Sequence, residues 1–208
     1  MERLELPFFS TMMNVWLFEQ VKNTAEIKKA LIQASQTNDE AEQSRLDWAF
    51  IDASMITSRQ HLTTAVCQAL VTQSHRALKT KTLHSEILWT LSPGTNIMEA
   101  IKKFGLGPQT NALLLVKLQP IEGDNQPSKE ALDQAAQALV DGTLVKLDDH
   151  LGKSIVNWKG LRKIYKLNDD PVIRELEEQS KRTASDLEWH AMIDQLATAT
   201  VALKSVAA

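Results

Sequence analysis

One cysteine, Cys67, stands in a chain of 208 residues. An internal disulfide is therefore impossible and a cysteine metal cluster is excluded, a usage that fits a reducing compartment. No apolar run approaches the roughly 18 to 20 residues that a membrane span needs. The first residues, MERLELPFF, carry acidic side chains and no apolar stretch of signal-peptide length. The expected setting is the nucleus and cytoplasm, away from any membrane. Motifs of chemistry are missing as well. There is no Walker A pattern, no GxGxxG, no GxSxG and no HExxH. The histidines, His61, His75, His84, His150 and His190, nowhere fall one helical turn apart, so a helical metal site has no ligand pair. No metal, no cofactor and no catalytic residue is expected. An excess of positive charge is absent too. The net charge is -3, which gives no global pull towards nucleic acid, so any RNA contact must come from a local patch.

What is present is an ordinary globular composition, 43% hydrophobic and 24% charged. A chain of this length can bury most of its apolar surface in one core. Short apolar runs alternate with helical patterns. Strands are expected at 14–21, 48–56, 83–91 and 143–147, and at 112–118, where ALLLVKL is apolar enough to be covered on both faces. Asn23 with Glu26, Thr57 with Gln60, and Asn96 with Glu99 have the spacing of capping boxes. The first would start a helix presenting Ile27, Ala30, Leu31 and Ala34. The second would start one presenting Leu62, Ala65, Val66, Ala69 and Leu70. Pro127-Ser128 opens a helix that ends at Gly142, and a further helix is expected around 154–166. Asp170 and Pro171 begin a charged helix that breaks near Ser185, and a last helix runs from about 187 to 204. The polar stretch 36–46 reads as a loop or insertion. The expected fold is mixed α/β over 1–208, one domain with a central sheet of four or five strands packed by helices.

Four features invite a functional interpretation. Cys67 lies inside an apolar helix with no histidine or basic residue beside it, the setting of a small hydrophobe rather than a nucleophile. Glu86 interrupts the run 83–91 and faces either solvent or a polar partner. Arg76, Lys79 and Lys81 lie close together without a nearby acid, which suits either a solvated connector or a phosphate contact. In the last helix Trp189, Met192, Leu196 and Ala199 share a face by their spacing, beside a second stripe of Ile193, Ala197 and Val201. That is more apolar surface than one amphipathic face requires, so one stripe is assigned to the core and the other to a partner.

The stretch from Lys79 to Gly105, KTKTLHSEILWTLSPGTNIMEAIKKFG, resembles the PRPK-binding protein family, the kinase-binding small subunit of the KEOPS (also EKC) complex. WLFEQVKN with AEIKKAL, AFID, ALLLVKL and LRKIYKLND are similar to further blocks of that family in the same order. The polar stretch 36–46 and the segment 171–186 depart from its pattern by being longer. The resemblance implies a non-catalytic regulatory subunit. It would bind and stimulate a small atypical PRPK-type kinase, and through it meet the threonylcarbamoyl transferase and the remaining subunits. The implied process is threonylcarbamoyladenosine modification of tRNA, with links to telomere maintenance and transcription. The resemblance also implies that the final helix docks the kinase, through Trp189, Met192, Leu196 and Ala199. The alternative is a tRNA-binding module acting through Arg76, Lys79 and Lys81.

Overall fold

Two strands carry apolar residues on both faces, and they form the middle of the sheet. The computed structural model describes residues 1–37, 39–123, 126–147, 151, 155–183 and 186–207. In it β2 (Thr11–Glu19) and β4 (Ala112–Pro120) pair antiparallel over their whole length, from Thr11 opposite Pro120 to Glu19 opposite Ala112. β3 (Ala49–Asp52) flanks β4. β1 (Glu2–Leu6) and β5 (Thr143–Val145) share the other edge of β2, each taking one half of it. Every one of these pairings is antiparallel, and the class is the expected mixed α/β.

Alternation along the strands sends residues to two separate cores. Trp16, Phe18, Phe50, Leu113 and Leu115 meet α1 (Thr24–Gln36) and α6 (Lys129–Leu139). Met13, Val15, Leu17, Ile51, Leu114 and Val116 meet the larger helical layer. That layer contains α3 (Arg59–Ser74), α4 (Leu83–Leu91), α5 (Ile97–Phe104), α7 (Trp158–Ile164), α8 (Pro171–Thr183) and α9 (Leu187–Ala207). The stripe Leu62, Ala65, Val66, Ala69 and Leu70 is buried on α3 as its spacing predicts. Asn96 caps α5 by accepting from Glu99 N, and Gly105 ends it, because a Cβ there would stand 2.6 Å from the Ile101 carbonyl oxygen.

Several expectations are corrected. Residues 83–91 form helix α4, not a strand. Thr82 caps it by accepting from Ser85 N, and His84 and all of 86–91 are buried, so coverage on nearly every side erases the helical period. Residues 36–46 are not all loop. Asp39 caps a short helix, α2 (Glu40–Arg45), by accepting from Glu42 N. The Asn23–Glu26 box does not form, because the Asn23 side chain donates to Leu139 O and accepts from Asp141 N, tying α1 to the end of α6. α3 is capped one residue late, by Ser58 accepting from His61 N. β1 is an addition that the sequence reading lacked. The break near Ser185 and His150 lie outside the described residues.

Candidate docking face and basic connector

α9 is held from three sides. Thr57 Oγ1 donates to Asp194 at 2.5 Å and Gln68 Nε2 donates to Ala202 O at 3.0 Å, so α3 and α9 run side by side in the same direction. Ile193, Ala197 and Val201 are sealed in the core at 0%, 0% and 1% exposure. The stripe assigned to a partner is graded. Trp189 is buried. It packs edge-on to Trp158, lies under the Arg162 guanidinium and donates from Nε1 to Asp186 at 3.1 Å. Met192 and Leu196 are half-buried at the margin of the core, and Ala199 is exposed. Leu203, one turn further on, is 61% exposed. The structure therefore brings Met192, Leu196, Ala199 and Leu203 to one surface, and sets Trp189 beneath it.

Arg76, Lys79 and Lys81 all stand exposed on the connector between α3 and α4. No carboxylate pairs with their side chains among the described residues. The connector owes its shape to Glu86, which the sequence left facing solvent or a polar partner. Its carboxylate is fully buried and accepts from Thr80 N at 2.8 Å, Lys79 N at 3.0 Å and Thr80 Oγ1 at 2.7 Å. A carboxylate on the first turn of a helix also faces the positive end of the helix dipole. Arg76 sits in the left-handed region at φ 54°, where the chain reverses out of α3.

Two buried histidines serve the scaffold. His84 Nε2 accepts from Leu118 N at 3.0 Å, where β4 has run past the end of β3. Its Nδ1 therefore carries the proton and donates to Asp47 at 2.8 Å. Burial holds His84 below its usual range although Asp47 opposes the shift. Burial raises the Asp47 carboxyl, but His84 and Lys117 outweigh it and leave it below the ordinary value. His61 Nδ1 accepts from Thr57 N, its Nε2 donates to the Tyr165 oxygen at 3.0 Å, and Tyr165 donates to Leu91 O at 2.7 Å. Burial pushes His61 down to about 4 and pushes the Tyr165 phenol up. Cys67 is half-buried, and burial raises its thiol, which disfavours the thiolate.

No group of three or more metal-type side chains converges among the described residues, and no helix there is long and apolar enough to cross a membrane. An open polar recess of about 450 Å³ is lined by Glu19, Gln20, Asp52, Ser54, Gln109 and Asn111 among others. Asp52 in it is already committed to Ser54 and Thr110. The signals for Glu86 and His84 were hidden because both lie on a helix that reads as a strand, and that for His61 because Tyr165 lies far along the chain.

The profile of a family described as Kinase binding protein CGI-121 matches residues 18–205. The EKC/KEOPS complex subunit cgi121 of Neurospora crassa is 34% identical over 172 residues, covering 77% of this chain and 79% of the relative. The subunit of the same name from Schizosaccharomyces pombe is 30% identical over 164 residues, covering 78% and 87%. EKC/KEOPS complex subunit CGI121 of Gibberella zeae is 34% identical over 156 residues, covering 74% and 75%.

Proposed function

The chain belongs to the CGI-121 family of kinase binding proteins, and we propose that it is the non-catalytic kinase-binding subunit of an EKC/KEOPS complex. The observation that carries this reading is the division of α9. One stripe is sealed in the core, while Met192, Leu196 and Ala199 beside it remain only partly covered. An apolar strip of this kind gains by docking a partner, and a few central side chains dominate the energy of such an interface. Trp189 supports the strip from below rather than forming its surface. The partner is a small atypical PRPK-type kinase, which the subunit stimulates and through which it joins the threonylcarbamoyl transferase. The process served is threonylcarbamoyladenosine modification of tRNA, in nucleus and cytoplasm, with telomere maintenance and transcription as further settings.

The test compares Met192→Glu with Ile193→Glu in kinase capture and thermal melting. Met192→Glu sets a charge in the proposed interface and should abolish capture while melting within about 5 °C of the parent chain. Ile193→Glu buries that charge in the core and should unfold the free subunit. Capture of the kinase by Met192→Glu at the parent level would overturn the assignment.

A second reading, direct tRNA contact through Arg76, Lys79 and Lys81, is favoured by one observation. Glu86 spends its charge on main-chain donors and leaves the three cations facing solvent. The two readings are compatible, since one surface lies on α9 and the other on the connector between α3 and α4.

A further inference from the structure

Lys204 is a buried cation near the end of α9, 6% exposed. Its ammonium donates to the main-chain carbonyls of Trp89, Ser92 and Gly94, the last two at 2.6 and 2.9 Å. It also lies 3.6 Å from the centroid of the Trp89 ring. An ammonium has three N–H donors, and these carbonyls use all of them. Trp89 O, which also accepts from Ser92 N, and Ser92 O lie at the end of α4 and at the negative end of its dipole, and Gly94 O lies in the turn beyond. α4 closes without a left-handed glycine: Ser92 at its end is extended, with φ -79° and ψ 134°. Ser92 N closes the last turn on Trp89 O, and Lys204 adds a side-chain cap from another helix. Trp89 Nε1 donates to Thr95 O at 3.0 Å and holds the same turn from the other side.

The consequence concerns the second half of α9. Apolar burial of Ala197 and Val201 fixes how deeply the helix sits, but such contacts are non-directional, and the bond from Gln68 reaches only the main chain at Ala202 O, so the directional side-chain anchor of this half is Lys204. Directional bonds fix rotation, and beyond Leu196 the side chains of Ala199 and Leu203 lie exposed. We propose that Lys204 is a positioning residue: by capping α4 with its ammonium it sets the rotation of α9 and presents Leu196, Ala199 and Leu203 as a preformed docking strip. This rests on the reading that α9 docks the kinase. A preformed strip loses less conformational freedom on binding than one that must be ordered by its partner.

Hydrogen exchange of the free chain, read peptide by peptide, tests the cap without any partner. In Lys204→Met the amides of 92–96 and 196–204 should exchange about tenfold faster, while β4 and the middle of α3 keep the parent rate. Kinase affinity should fall about tenfold, and Lys204→Arg, which keeps charge and donors, should restore both to within about threefold. Unchanged exchange at 196–204 in Lys204→Met overturns the proposal. Unchanged kinase affinity despite faster exchange also overturns it, provided Met192→Glu abolishes capture. If Met192→Glu leaves capture intact, the docking reading has failed, and the exchange result alone decides whether Lys204 is the cap. Should Lys204→Met not fold, Lys204→Gln keeps part of the donor set and decides the matter. Acceleration confined to the same two segments supports the cap, and uniform or absent acceleration overturns it.

Discussion

His61 shows how a single buried side chain couples distant segments. Its ring accepts a hydrogen bond from Thr57 N and donates one to the Tyr165 oxygen, whose hydroxyl donates to Leu91 O. The arrangement requires a neutral ring, and burial enforces it by lowering the folded value to about 4 from 6.5. The unfolded chain binds the proton more readily, so this contribution to stability is complete above pH 6.5 and is lost as pH falls towards 4. The loss should reach about 2 kcal/mol by pH 5. Urea unfolding at pH 7 and pH 5 should show this loss in the parent chain and a correspondingly smaller one in His61→Gln. Glu86 acts locally. Glu86→Ala would remove the shared acceptor of the partly buried N–H groups of Lys79 and Thr80 and should cost about 2 kcal/mol in the same measurement. The loss should be accompanied by faster proteolysis of the connector at Arg76, Lys79 and Lys81.

At the scale of elements, α4 anchors the basic connector at one end and meets Lys204 of α9 at the other, while α9 itself lies along α3. The nine residues of α4 span about 14 Å. Glu86 holds the basic connector near the first turn, while Tyr165 and Lys204 hold the carbonyls at the other end. The sequence marks the far end of this region, since Asn96 is recognisable as a cap and Gly105 as a stop, but the cap at Thr82 was not read from it. It does not reveal the helix itself, because LHSEILWTL is buried on nearly all sides and shows no period. The cap at Thr82 should be worth about 1 kcal/mol, measurable as a lower unfolding midpoint in Thr82→Ala. On α9 the two stripes were legible from spacing alone, and the core stripe of Ile193, Ala197 and Val201 is where it was expected. The position of Trp189 was not legible, because its cover comes from Trp158 and Arg162 on α7.

For the whole molecule, charge decides how the two surfaces can be told apart. With a net charge of -3 the protein has no general attraction for nucleic acid, so tRNA binding through three cations must be weak and salt-sensitive. A plot of log affinity against log salt should have a slope of about -2 to -3, and reversing the charge at Arg76, Lys79 and Lys81 should flatten it. Kinase docking on an apolar strip should respond far less to salt. The isolated subunit should turn over no ATP. Turnover that survives purification and vanishes with one point change in this chain would reverse that expectation.

The sequence by itself determined the mixed class, the two-sided centre of the sheet at ALLLVKL, the apolar stripes of α3 and α9, and the ordered blocks that mark the family. Each of these depends on local pattern: periodicity, caps and the order of motifs along the chain. Only the tertiary structure decided that 83–91 is helical, that β1 and β5 divide one edge of β2, and that Glu86, His61 and Lys204 are buried polar anchors. A charged or titratable side chain enters a core only where donors and acceptors meet it there. For His61 and Lys204 those partners come from segments about a hundred residues away, a juxtaposition that no local spacing encodes.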